Sequence, residues 1–388
     1  MTDDGRQLLA KAQDLAPSIT RRSAEIEAGR ELPTDLLNDL ISAGFFRMGV
    51  PRSHGGLEID LPNTLAIFET LAQADGSTAW NVMIASEIAL LLTRLPRARF
   101  DALYADGPDV ITAGSIAPRG EFKLVPDGYE VNGRWSFASG CRHCHWLLAS
   151  GVVFEGSTPV AGPVPGTPQT RSTLVPLQRA TILDTWSACG LNGTGSHDFE
   201  VKNLRIAAED AFDPIFGQAC VPGPLYGDVL AQAAMHMAVV ANGIAQHAIT
   251  DIVAIAVGHK RRAFTRATMA DTPLFQHQLG RSDAALRASR SALKTEAEAF
   301  WASGASGRAP DFAVQARTIG LATWITETAV SVVDACYKAG GATVLYGESS
   351  LQRHFRDIHS LTQHIMVADS WLTKAGAALL QKDVGPGF

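Results

Sequence analysis

The chain has few charges and few cysteines, and each shortage closes off a class of answer. Of 388 residues only 19% are charged, with 33 Lys and Arg against 39 Asp and Glu. The net charge of -6 is not gathered into an acidic or basic block, so nucleic acid and anionic membranes are not expected partners. Five cysteines, an odd number spread over a long chain, make no disulfide framework and point to a reducing cytoplasm. The first residues, MTDDGRQLLAKAQDL, carry no secretory signal. Residues 229–250 lack Asp, Glu, Lys and Arg but include Gln232, His236, Asn242, Gln246 and His247. Their apolar positions recur every three or four residues, the pattern of a helix buried in protein rather than lipid. No Rossmann or P-loop fingerprint occurs.

What is present is a large apolar share, 46% of residues, enough for two or three domains with real cores. Residues 1–108 read as helices: Pro33-Thr34-Asp35 opens LLNDLISAG, Gly44 closes it, and Pro62 repeats the device. Between 109 and 212 the period changes to two, with Pro126-Asp127-Gly128 turning between EFKLV and YEVNGRW, and HWLLASGVVF and HDFEVKNLRI as further strands. From 213 to 388 helices return, and Leu279, Leu286, Leu293 and Phe300 mark one stripe at seven-residue spacing. That repeat predicts helix packed on helix in a four-helix bundle. The predicted class is α+β: a helical domain, a β-barrel or sandwich, and a bundle.

Four short segments could carry chemistry. Cys141-Arg-His-Cys144-His145 satisfies the c-type haem pattern, but haem attachment belongs to an exported compartment and zinc would need a second ligand pair. A chance occurrence, with no metal, is the expectation. Gly190-Leu-Asn-Gly193-Thr-Gly195-Ser196 lies between strands instead of opening a helix, so it is either a plain turn or a loop letting backbone approach a flat ligand. In Trp135-Ser-Phe137-Ala-Ser139-Gly140, period two puts Trp135 and Phe137 on one face, with the Ser139 hydroxyl at the strand end. The polar run from Gln352 to His364 reads as a loop before a helix, its three histidines five apart and so on different faces of any helix.

The order of these blocks and motifs resembles the acyl-CoA dehydrogenase fold over essentially the whole chain. ADGSTAW, VNGRWSFASG, the GTGS loop, AGGATVLYG and RHFRDIHSLTQH each sit where that superfamily has a comparable segment. The dehydrogenases need a carboxylate base, usually a Glu after the Arg-Asp pair. Here Arg356-Asp357 is followed by IHSLTQHI, and the alternative base position on the first bundle helix offers Ala233, Ala234 and His236. The substitution resembles the oxygenase components of two-component flavin-dependent monooxygenases, similar to p-hydroxyphenylacetate, indole and polyketide hydroxylases and dibenzothiophene monooxygenase.

That resemblance implies reduced FMN or FAD supplied by a separate NAD(P)H-dependent flavin reductase, and O2. A flavin C4a-hydroperoxide would oxygenate an aromatic or polycyclic substrate. It implies Ser139 as a donor near flavin N5, and His364, with His359 second, as a proton manager titrating near neutrality. It implies Thr112, Ala113, Ser115 and Trp135 beside the isoalloxazine, Gly340 and Gly341 in the cofactor site, Arg262 on the flavin phosphate across a subunit interface, and a homotetramer. One departure stands out: the branch's second histidine from the helical domain is missing, so either the substrate is not a phenol needing that base or another group such as Ser86, Glu87 or Asn81 does its work. The rival readings are a dehydrogenase-like flavoenzyme with another base, a flavin-free binding or scaffold protein, and a haem carrier.

Overall fold

Capping residues set the ends of the first helices. The computed structural model describes residues 2–164, 166–258, 260–261, 267–306 and 311–385. Helix α1 (Asp3–Gly29) starts where the Thr2 hydroxyl accepts from Gly5 N–H. Helix α2 (Thr34–Ala43) starts after Pro33 and stops at Gly44, whose φ of 101° favours glycine. Asp60 caps α3 (Leu61–Ala74) and Asp75 caps α4 (Gly76–Leu92), each accepting an N–H that the helix leaves unpaired. A short α5 (Arg97–Leu103) closes this block.

The expected barrel or sandwich takes the form of one seven-stranded mixed sheet. Its strands are β1 (Thr112–Val125), β2 (Gly128–Ala138), β3 (Trp146–Glu155), β4 (Thr158–Pro159), β5 (Thr170–Pro176), β6 (Thr181–Leu183) and β7 (His197–Ala207). The order is β4-β3-β1-β2-β7-β6, with β5 also on β3, and only β1 and β3 run parallel. The β1–β2 hairpin turns where Gly128 holds φ 146°. A Cβ there would meet the Ile206 carbonyl oxygen at 2.1 Å.

The C-terminal block has three long helices, α6 (Val229–Val257), α7 (Pro273–Ala305) and α8 (Phe312–Gly340). Leu286 and Leu293 of the seven-residue stripe are buried on α7. Beyond α8 the chain departs from the expected loop leading into a helix. The polar run is itself a helix, α9 (Ser350–Leu361), followed after a break by α10 (Ser370–Leu379). Its buried positions, Leu351, His354, Asp357, Ile358 and Leu361, recur at three and four, so two polar residues occupy the inward stripe. That is why a polarity count alone reads it as loop. Helices 229–257 and 312–345 are long and apolar enough to cross a membrane, yet 61% and 56% of their apolar windows are buried within the chain.

Candidate active site

A chain of neutral hydrogen bonds joins three of the blocks at the end of β2. Trp80 on α4 donates its indole N–H to Ser139 Oγ at 3.0 Å. Ser139 Oγ lies 2.7 Å from Ser196 Oγ, which lies 2.7 Å from Thr194 Oγ1. Thr194 donates to the Leu191 carbonyl at 2.7 Å. A hydroxyl has one proton and two lone pairs, so the two ends fix every direction between them. Thr194 spends its proton on the carbonyl, so Ser196 donates to Thr194 and Ser139 donates to Ser196. Ser139 therefore keeps one lone pair and no free proton. Beyond these partners it can offer only an acceptor, where a donor was expected.

His364 completes this cluster. Its ring stands edge-on to Trp80, with centroids 5.7 Å apart and planes at 78°. Nδ1 accepts from Met366 N–H at 3.3 Å, so the neutral ring carries its proton on Nε2. Burial pushes its pKa down to about 4, so it does not titrate near neutrality as expected. His359 is not brought to the cluster: its Nε2 lies 2.9 Å from Asp334 on α8 and its ring leans on Phe355.

Trp135, expected beside the ligand, turns no surface outward. It is fully buried, stacks on Phe199 at 4.9 Å and donates to the Ser150 carbonyl. The pairing of β2 with β7 shifts register between Trp135 and Ala138, and Phe137 takes a φ of 66°. Period two therefore breaks, and Phe137 leaves the face of Trp135. It is 71% exposed, edge-on to Trp186 at 6.3 Å. A bulky residue held in the left-handed region costs roughly 1–2 kcal/mol. The strain holds an apolar ring outside the sheet, two residues from Ser139, an exposed position that periodicity missed.

The other expected cofactor residues are dispersed. Thr112 and Ala113 are buried, and the Thr112 hydroxyl has no partner. It lines a cavity of about 10 Å³ with Asn81 and Ser139, room for one water. Ser115 is half-buried, its hydroxyl accepting from Ala117 N–H. Gly340 ends α8 and its carbonyl accepts from Lys260 Nζ, while Gly341 is exposed at φ 63°. Among the described residues no hydrogen bond or ring contact joins these glycines to Ser139. Arg262 lies outside the described residues.

Two other motifs resolve as structure. Cys141 and Cys144 are buried, each donating to a backbone carbonyl, and burial pushes their thiols up to about 11 and about 12. Protonated thiols are poor metal ligands. The GTGS loop is a buried turn: a Cβ on Gly193 would meet Ile26 at 2.3 Å, so glycine lets it press on α1 while Thr194 and Ser196 join the hydroxyl chain.

The fold and site define a flavoenzyme-type architecture, and comparison names the family. Residues 2–95 match the acyl-CoA dehydrogenase N-terminal domain and residues 235–369 the acyl-CoA dehydrogenase C-terminal domain. The chain belongs to the acyl-CoA dehydrogenase family. Among its curated relatives is indole-3-acetate monooxygenase of Pseudomonas putida, 29% identical, with 95% of this chain and 92% of that protein covered. Another is the flavin-dependent monooxygenase oxygenase subunit HsaA of Mycobacterium tuberculosis, 28% identical, with 93% and 92% covered. The crystal structure of that HsaA matches with a TM-score of 0.87 at 25% identity, covering 98% of this chain and 99% of that one. XiaF from a Streptomyces species, solved with FADH2 and glycerol, shares the fold with a TM-score of 0.90 at 23% identity, covering 99% and 98%.

Proposed function

We propose that the chain is the oxygenase component of a two-component flavin-dependent monooxygenase, hydroxylating or otherwise oxygenating an aromatic or polycyclic compound with reduced flavin and O2. The observation that carries this reading is the neutral chemistry of the Trp80–Ser139–His364 cluster. None of its described hydrogen bonds or ring contacts reaches a carboxylate, whereas thioester dehydrogenation needs a carboxylate base. The relatives, named as oxygenase components or monooxygenases, support the same branch.

Reduced FMN or FAD would bind against the exposed Phe137 ring and Ser139, and supplies the electrons by which one oxygen atom reaches the substrate and the other leaves as water. The free lone pair of Ser139 suits the N–H that a reduced isoalloxazine presents at N5. Holding that proton in place opposes its loss with peroxide, and the buried indole and hydroxyls exclude water there. His364, neutral with its proton on Nε2, offers a hydrogen bond without adding charge.

A separate NAD(P)H-dependent reductase would supply the flavin, in keeping with a sequence that has no dinucleotide fingerprint. Copies of the chain would cover Leu345, Tyr346, Leu379 and Leu380, each at least 66% exposed, in a homotetramer. A reducing cytoplasm suits the free cysteines. Two titrations test the reading. The protein should bind reduced FMN or FAD anaerobically, and acyl-CoA thioesters should leave the bound oxidised flavin unbleached. Bleaching by an acyl-CoA would replace this reading with dehydrogenation.

A further inference from the structure

Two turns along α4 from Trp80 a second polar pair, a half-buried carboxylate and a buried imidazole, leaves one atom unused. His236 on α6 places Nδ1 3.1 Å from Glu87 Oε1 on α4. The ring is 1% exposed and is pinned edge-on against Phe68, with centroids 5.1 Å apart. Its Nε2 is buried with no partner. A carboxylate only accepts, so in this hydrogen bond the proton sits on Nδ1 and points at Glu87. Nε2 is then a buried acceptor aimed at nothing, an arrangement that proteins seldom keep without a use.

The placement ties this atom to the site described above. Trp80, Ile84 and Glu87 lie at i, i+4 and i+7 on α4, one face. Glu87 stands about 10.5 Å along the axis from Trp80, at 1.5 Å per residue. Every residue of α4 is buried except Ile84 and Glu87. On α6, Ala233 alone interrupts the buried run through residues 229–245, one turn before His236. The half-buried Ile84, Glu87 and Ala233 therefore lie along this face, between the ring that touches Ser139 and His364 and the ring that Glu87 holds. The span suits an aromatic molecule of one to three rings. Of the groups available to replace the missing helical-domain histidine, Ser86 spends its hydroxyl on the Val82 carbonyl and Asn81 bonds Ser77 and Gly193. Glu87 instead orients an imidazole from the bundle.

We propose that His236 Nε2 receives the acidic hydrogen of an aromatic substrate bearing a hydroxyl or a ring N–H, with Glu87 as its positioning residue. The inference rests on the monooxygenase reading and names its substrate class. The proton passes from the O–H or N–H to Nε2 while the bonding electron pair stays on the substrate heteroatom. The imidazolium formed is held by Glu87, and the ring becomes more electron-rich at the carbons to be oxygenated. Glu87 is placed for this by burial, which raises its carboxyl, and by His236, which lowers it.

Equilibrium binding to the full chain tests it without turnover, with phenol against anisole and indole against 1-methylindole as probes. The wild type should prefer the member that keeps its hydrogen by roughly tenfold to a hundredfold, the range for leaving a buried acceptor unpaired. His236→Phe should abolish the preference, and Glu87→Gln should reduce it by turning the Nε2 lone pair into an N–H. His236→Gln, which keeps an acceptor, should restore part of it, and unchanged melting temperatures show that the variants fold. No preference in the wild type, or a preference that survives His236→Phe, overturns the proposal. Selective binding without oxygen transfer would leave this inference standing and remove the flavin reading. Oxygen transfer with no selectivity would do the reverse.

Discussion

Two polar networks meet at one residue, Leu191, and they are built on opposite principles. One is neutral: indole, three hydroxyls and an imidazole, ending on the Leu191 carbonyl. The other is ionic. Asp357 Oδ1 accepts from Leu191 N–H at 2.6 Å, and α9 is tied to α1 by Arg356 and Arg353 on Glu27, and to α6 by His354 on Asp251. Leu191 itself takes a φ of 53°. The ionic side holds the loop in place, and the neutral side converts that fixed carbonyl into a fixed direction for the Ser139 proton. Charge is kept on the far side of Leu191, with Thr194 and Ser196 between it and Ser139. In the proposed flavin site this would insulate Ser139 from nearby titration, because no member of the hydroxyl chain changes charge near neutrality.

The largest effect expected on this contrast comes from removing the neutral end. Ser139→Ala should cut product per reduced flavin by roughly tenfold to a hundredfold, with hydrogen peroxide making up the difference. Product and peroxide assays read both. Asp357→Asn tests the ionic end through stability. Burial first, then the like charge of Asp75, raises the Asp357 pKa to about 7, against Leu191 N–H and Arg353, which lower it. Its folded value lies above its unfolded one, so stability is full below about pH 4 and falls as pH rises to about 7. The slope attributable to it is on the order of 1 kcal/mol per pH unit. Denaturant melts should show that slope in the wild type and a flatter profile in Asp357→Asn.

Ser196→Ala should have a smaller effect. It frees the Ser139 proton to turn toward the ligand, lowering coupling about two- to tenfold while reduced-flavin affinity changes little in anaerobic titration. A loss as large as that of Ser139→Ala would break the claim that Ser196 only sets direction. Smallest of all, coupling should change less than about twofold between pH 6 and 8, since His364 titrates at about 4. A steep dependence in that window would place an ionising group inside the neutral network.

Local signals carried much of this in the sequence. Pro33 and Gly44 bracket α2, Pro126-Asp127-Gly128 turns the first hairpin, and the absence of a Glu after Arg356-Asp357 separates two chemistries on one fold. Ser139 and His364 could be picked from their segments. Their partnership could not, because Trp80, which touches both, is 59 residues from Ser139 and reads as an ordinary apolar helix position. Phe137 escaped because a bulge breaks period two, and a backbone turn of that kind leaves no mark beyond the small residues that follow. Helix α9 was hidden by its own buried His354 and Asp357, polar residues on an inward stripe. His236 and Glu87 were each visible as candidates, but pairing across 149 residues is a property of the packed helices.

The account stands or falls on where the oxygen goes. A single turnover of the protein with reduced flavin, 18O2 and a panel of phenols and indoles, followed by mass spectrometry, measures it directly. The account predicts a product carrying one 18O atom, with the second in water. Complete reoxidation of the bound flavin to hydrogen peroxide with every member of the panel, and no labelled product, would contradict it.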